Sequence, residues 1–181
     1  MTSKVGVAGQ MFSGEFLIAF MIFLIAVILM ISIWSNQTSD ILLVEKRINL
    51  EESGVEASEK LLRTGGEPFF WNSSNVSSFG LANESRELMV DKILSFVELT
   101  RDNLTGHCSG GSNYECNLYL LGMGGNQFLF NLTDLGGATL NLANVSAVSG
   151  RPPENVTESV TITRTAILDG DIVRLYFTVW R

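Results

Sequence analysis

His107, Cys108 and Cys116 are the only histidine and the only two cysteines of the chain, and they fall in one stretch, "HCSGGSNYEC". Thiols and an imidazole are the side chains that bind zinc or exchange electrons, so metal or redox chemistry would sit here. A structural zinc site normally takes four protein ligands, and this stretch supplies three at most. Gly110 and Gly111 let the chain turn back between the cysteines. In an oxidising exterior that spacing reads as a Cys108–Cys116 disulfide closing a small loop. Free thiols, or a metal site with His107 as third ligand, are the alternatives.

Asparagine carries the second chemical signal. Asn-X-Ser/Thr triplets begin at Asn36, Asn72, Asn75, Asn83, Asn103, Asn131, Asn144 and Asn155, none with proline in the middle. Chance placement of 13 asparagines and 30 Ser/Thr among 181 residues gives about two such triplets. Eight point to N-glycosylation of an externally exposed region. All eight follow Trp34.

Catalytic constellations are not visible. Gly122, Gly124 and Gly125 in "LGMGGNQ" lack the Lys-Ser/Thr of a phosphate loop and read as a hairpin turn. No Ser–His–Asp set, metalloprotease helix or carboxylate pair in a recognisable setting is present, so the expectation is a non-enzyme without metal or cofactor. With 19 Asp+Glu against 12 Lys+Arg and no cluster of basic residues, nucleic acid is excluded as a partner.

The elements that carry these residues follow from periodicity. Phe16–Trp34 has no charge in nineteen residues. As a helix it spans about 28 Å, close to the thickness of the hydrocarbon layer. It is too long for a removable signal core, and "SIWSNQ" has no Ala-X-Ala site, so the segment is expected to stay on the protein. Lys4 on the leader side fits an N-inside, C-outside orientation. Ile41, Val44, Ile48, Val55 and Leu62 then form one stripe of a continuing amphipathic helix that stops at Gly65-Gly66, with Gly54 as its weak point. A second, shorter helix is expected over "NESRELMVDKILSFVELT", capped by Asn83, with Met89, Ile93, Phe96 and Val97 on its apolar face. From Asn117 onward the period becomes that of strands: "CNLYLLG", "NQFLFNLTDL", "ATLNLANVSAV", "ESVTITRTAIL" and "DIVRLYFTVW", the last two joined by Asp-Gly. The fold class is therefore α+β: a long N-terminal helix, transmembrane in its first half and exposed in its second, packed on an antiparallel β-sheet head with one short extra helix.

Glu15 stands immediately before the apolar run. A short leader with Lys4, a Gly9-Gln10 step, this glutamate, an unbroken apolar helix and a β-rich exterior head resemble the archaeal type IV pilin-like proteins with class III signal peptides. The N-terminal likeness covers about residues 4–34. The Trp71 loop, "FGLA" and "DKILSF" also look like heads of that kind. The family pattern runs Gln, any residue, Ser, any residue, Glu; here Gln10, Ser13 and Glu15 are one residue too widely spaced. Cutting between Gly9 and Gln10 keeps a small residue before the bond and makes Glu15 the sixth mature residue. Cutting after Gln10 makes it the fifth but leaves a glutamine before the bond, and the first of these cuts is preferred.

The resemblance implies a subunit processed by a membrane prepilin peptidase, held in the cell membrane, and then polymerised with the pilus assembly machinery into an extracellular filament for adhesion or surface attachment. The chain then divides into a leader (1–9), a membrane or filament-core helix (10–34), an exposed amphipathic continuation (35–64) and a glycosylated extracellular α+β head (65–181). Glu15 would set register against a neighbour's freed amine. The rival from another class is a monomeric glycosylated surface protein held by an uncleaved signal-anchor helix. A third, an anchored ectoenzyme, has no residues to support it.

Overall fold

The structure is a computed structural model that describes residues 14–102, 112–123 and 125–181, with only the backbone described at 36–43. The chain divides into two compact units between Glu45 and Lys46. One helix, α1 (Gly14–Arg63), runs through the division. In the first unit α1 presents Phe16–Trp34 as an apolar surface with almost every residue exposed.

The second unit is built on a six-stranded sheet in the order β1-β2-β7-β8-β3-β6. Its strands are β1 (Ala82–Glu84), β2 (Glu87–Leu88), β3 (Gln127–Thr133), β6 (Val148–Gly150), β7 (Ser159–Leu168) and β8 (Asp171–Trp180); β4 (Asn141–Leu142) and β5 (Val145–Ser146) form a separate small hairpin. The centre is β7–β8, ten residues in unbroken antiparallel register. Asp169 (φ 52°) and Gly170 (φ 88°) make its two-residue turn, where both central residues need positive φ to match the strand twist. β3 continues the sheet beyond β8.

Alternation sorts the two faces. Phe128, Phe130 and Leu132 of β3, Ile162 and Ala166 of β7, and Val173, Leu175, Phe177 and Val179 of β8 are buried. Helix α2 (Val90–Thr100) buries Ile93, Phe96 and Val97 in the same core. Phe96 meets Phe79, Phe128 and Phe130 at 5.0–6.2 Å between ring centres, and Phe128 stacks on Phe177. Each such ring contributes about 1.5–3 kcal/mol by leaving water, and each edge-to-face pair adds about 0.5–1.5 kcal/mol.

Four sequence expectations need correction. Of the expected stripe, Leu62 is buried and Val55 half-buried against the core, but Val44 and Ile48 are 58% and 56% exposed; the buried face of α1 is made by Leu50, Gly54, Ala57, Ser58, Leu61 and Leu62. Gly54, read as a weak point, lies where a Cβ would run into Ile162 Cδ1 and come within 2.9 Å of Val179 Cγ2. Small residues let the helix approach the sheet closely, and that contact outweighs their poor helix propensity.

The second helix is shorter than expected. Asn83 lies on β1, and residues 82–88 form a β1–β2 hairpin; α2 starts at Val90 with no side-chain cap. The hairpin is held from outside: Arg86 N–H donates to Leu62 O, Leu81 N–H to Leu61 O, and Arg86 O accepts from Ile167 N–H. "CNLYLLG" is not a strand. It forms the end of α3 (Asn113–Asn117) and a 3-10 turn (Leu118–Leu121). Ser112 caps α3 by accepting from Glu115 N–H, and Asn117 Nδ2 donates to Leu99 O at 2.9 Å. Finally, the sheet is mixed: β2 runs parallel to β7.

Backbone carbonyls just past α1 and beside it, at Gly65, Gly80 and Ala82, are satisfied by side chains. Trp71 Nε1 donates to Gly65 O (3.0 Å) and Gly80 O (2.8 Å). The buried Lys92 ammonium donates to Gly65 O (2.8 Å) and Ala82 O (3.1 Å), 4.2 Å from the centre of the Phe69 ring. A cation at a helix C-terminus is favourable, while its burial holds the Lys92 pKa below the usual lysine value.

Candidate assembly surface and modification sites

In the first unit, residues Gly14–Ser35 make a 22-residue helical span long and apolar enough to cross a membrane, with none of it buried inside the chain. Length and composition alone give this property, and a signal sequence shares it. Glu15 lies in the first described turn of α1 and is exposed. Beyond it Phe16 and Phe20 stack at 6.3 Å. Ala26 opens an apolar notch between Leu29, Met30, Ile33 and Trp34. A small residue flanked by large ones is the shape that accepts a side chain from a second helix. Gly9 and Gln10, the expected processing site, lie outside the described residues.

In the second unit the sequons separate by environment. Asn72, Asn75, Asn83, Asn144 and Asn155 are exposed. Asn144 (φ 66°) shares the β4–β5 turn with Ala143 (φ 48°), and Asn155 (φ 53°) lies in the loop before β7. Asn72 Oδ1 accepts from both the N–H and the hydroxyl of Ser74, within its own triplet. Asn131 differs. It is half-buried in mid-β3, its Oδ1 accepts from Thr139 Oγ1 at 3.0 Å, and the triplet's Thr133 is 1% exposed. A glycan on Asn131 would have to displace Thr139 and leave the sheet. Asn36 is a residue of α1 whose side chain is not described, and Asn103, His107 and Cys108 lie outside the described residues. Cys116, in α3, is disulfide-bonded. Gly122 (φ 77°) ends the 3-10 turn in a left-handed conformation, Gly124 lies outside the described residues, and the next described element is the strand β3, not a helix.

A charged cluster escaped the sequence reading. Arg151 Nε and Nη2 bind Asp102 at 2.7 and 3.1 Å, Nη2 also binds Glu115 at 2.8 Å, and the guanidinium lies 5.2 Å from the centre of the Tyr114 ring. Arg151 and the Ser112 hydroxyl hold the Asp102 carboxyl below its usual pKa. Burial raises the Tyr114 phenol to about 12, and its oxygen accepts the Phe128 N–H at 2.7 Å. Thirty-six to forty-nine residues separate Arg151 from its partners, so no local spacing could have revealed the set. One guanidinium bridges two carboxylates, which makes the set a clamp between α3 and the segment just after α2. Among the described residues no group of three or more His, Cys, Asp or Glu is placed to hold a metal ion.

Compared with known proteins, the chain matches no family model, no curated sequence and no solved structure.

Proposed function

We propose that this chain is the structural subunit of an extracellular filament of the type IV pilus kind, serving adhesion or surface attachment. The observation that carries this is the apolar span of α1, unburied within its own chain and begun by the carboxylate of Glu15. Such a surface requires either lipid or other helices around it. A carboxylate carried into that surroundings is costly alone. A freed amine on a neighbouring subunit would neutralise it, which makes Glu15 a register device. Before assembly the span resides in the membrane with the head outside. The exposed sequons Asn72, Asn75, Asn83, Asn144 and Asn155 fit that side. The partners are further copies of the chain through α1, a prepilin peptidase and the assembly machinery.

The test is mass spectrometry of the N-terminal peptide from protein expressed with that machinery. Processing at the Gly9–Gln10 bond is expected, with the first nine residues lost. An intact N-terminus would instead assign the chain to monomeric glycosylated surface proteins held by a signal anchor.

A further inference from the structure

β7 is paired along its whole length on one side and at two residues on the other. β8 takes all ten residues, whereas β2 takes only Ile167 and Leu168. One bond fixes which peptides face the open side: Ile167 N–H donates to Arg86 O at 2.7 Å, away from β8. Antiparallel pairing alternates, so Thr165, Thr163 and Thr161 turn their N–H and C=O groups the same way. All three residues are exposed. Among the described residues these backbone groups receive only a long 3.4 Å contact, from Arg164 Nη1 to Thr163 O. The open lane from Ser159 to Thr165 is about 23 Å long at 3.3 Å per residue.

Sheets ordinarily blunt such an edge with lysine, proline, a bulge or a covering element. Ser159–Ala166 contains no lysine or proline, and its register with β8 has no break. Its one charge, Arg164, is engaged with Glu59 of α1 at 3.2 Å. That ion pair shows which side of α1 overlooks the lane. Glu56 and Glu52, three and seven residues before Glu59, share that side, and both are exposed. Glu59 is taken up by Arg63 as well as Arg164, but a second copy paired antiparallel through this edge would bring its own Glu52 and Glu56 to the same seam, carboxylate against carboxylate. A basic strand meets them favourably.

We propose that the β7 edge is a strand-addition site for an extended basic segment of another protein. The segment is six or seven residues long, with Lys or Arg at alternate positions facing α1 and hydroxyl or small residues on the other face. Backbone hydrogen bonds to Thr161, Thr163 and Thr165 hold it, and the α1 carboxylates select its charge.

The test uses the full chain in detergent micelles and two fluorescent octapeptides, (Lys-Thr)4 and (Glu-Thr)4, followed by anisotropy. The lysine peptide should bind at least about tenfold more tightly, and Glu52→Gln with Glu56→Gln should remove most of that difference. Thr163→Pro deletes an edge donor but no β7–β8 bond; it should weaken the lysine peptide about tenfold while leaving the melting temperature near that of the parent. If that variant does not fold, Thr161→Pro, which removes another outward N–H nearer the free end of β7, should give the same loss. Unchanged affinity in the folded edge variant would reduce the binding to charge adsorption and overturn the proposal. So would equal binding of the two peptides, or disulfide crosslinking of two copies through Thr163→Cys, which would make the occupant a second copy of this chain.

Discussion

Glu15 and Asp102 are both carboxylates near a helix end, yet they are held in opposite ways. Asp102 already has its cation, Arg151, at 2.7 Å, whereas Glu15 stands in an exposed first turn with an apolar surface behind it. If Glu15 finds its partner on another copy, Glu15→Val should still insert and be processed. Its filament yield under the electron microscope should fall steeply, and wild-type yield would remove the register role. For Asp102 the sign follows from its depressed pKa. The group adds stability above the unfolded carboxylate value near 4 and loses it as pH falls through the lower folded value. The pair is about one-third exposed, so solvent screens it and the contribution is on the order of 1 kcal/mol or less. Asp102→Asn should therefore lower the melting temperature slightly at pH 7, and the gap between the two proteins should close as pH falls through the depressed pKa of the folded Asp102 carboxyl. A gap that did not narrow with acid would assign the effect to packing instead.

At the scale of the element, α1 in the second unit is a helix fitted to a sheet by its smallest side chains. Gly54, Ala57 and Ser58 lie on the buried face, and Gly54 faces Ile162 and Val179. Alanine is the better helix former by about 1 kcal/mol, while forcing a methyl into a filled interface costs about 1–3 kcal/mol. The colliding atoms are side-chain ends that can yield in part, so Gly54→Ala should lose about 1 kcal/mol net. Adding Ile162→Val removes the Cδ1 atom in the way. The double variant should melt above Gly54→Ala alone, and a single variant more stable than wild type would show that the contact is looser than drawn. The opposite lesson comes from β7, where a regular strand has one edge satisfied and the other open.

For the whole molecule, the question is what surrounds the apolar span. Lipid is as apolar as a helix bundle, so leaving one for the other gains little from hydrophobicity alone. If the chain assembles as proposed, its filament must lean on close packing, on charge pairing at Glu15 and on contacts between heads. Ala26, in its notch between Leu29, Met30, Ile33 and Trp34, separates the two environments. Lipid yields around a bulky group and a packed core does not. Ala26→Trp should therefore insert and be processed normally yet give few filaments by sedimentation and microscopy. Wild-type assembly by this variant would place Ala26 away from any subunit contact.

Local chemistry written within a few residues could be read from the chain itself. The apolar run before Ser35, the stop of α1 before Gly65-Gly66, the Asp169-Gly170 turn and the alternation of β3, β7 and β8 all follow from contiguous hydrophobicity or from a backbone conformation that few residues tolerate. Where local preference was weak, distant partners decided. Residues 83–88 read as a helix start, but bonds to Leu62 and Ile167 hold them as a hairpin; 117–121 read as a strand, but Ser112, Leu99 and Asn113 draw that segment into helical turns. Which stripe of α1 is buried depends on how near the sheet comes, a distance set by Gly54 against Ile162 and not by the helix's own periodicity. The Arg151 cluster and the open edge of β7 belong to the same class. Each depends on which strands and helices become neighbours, and the free energy of that choice comes from contacts tens of residues apart, which spacing along the chain does not record.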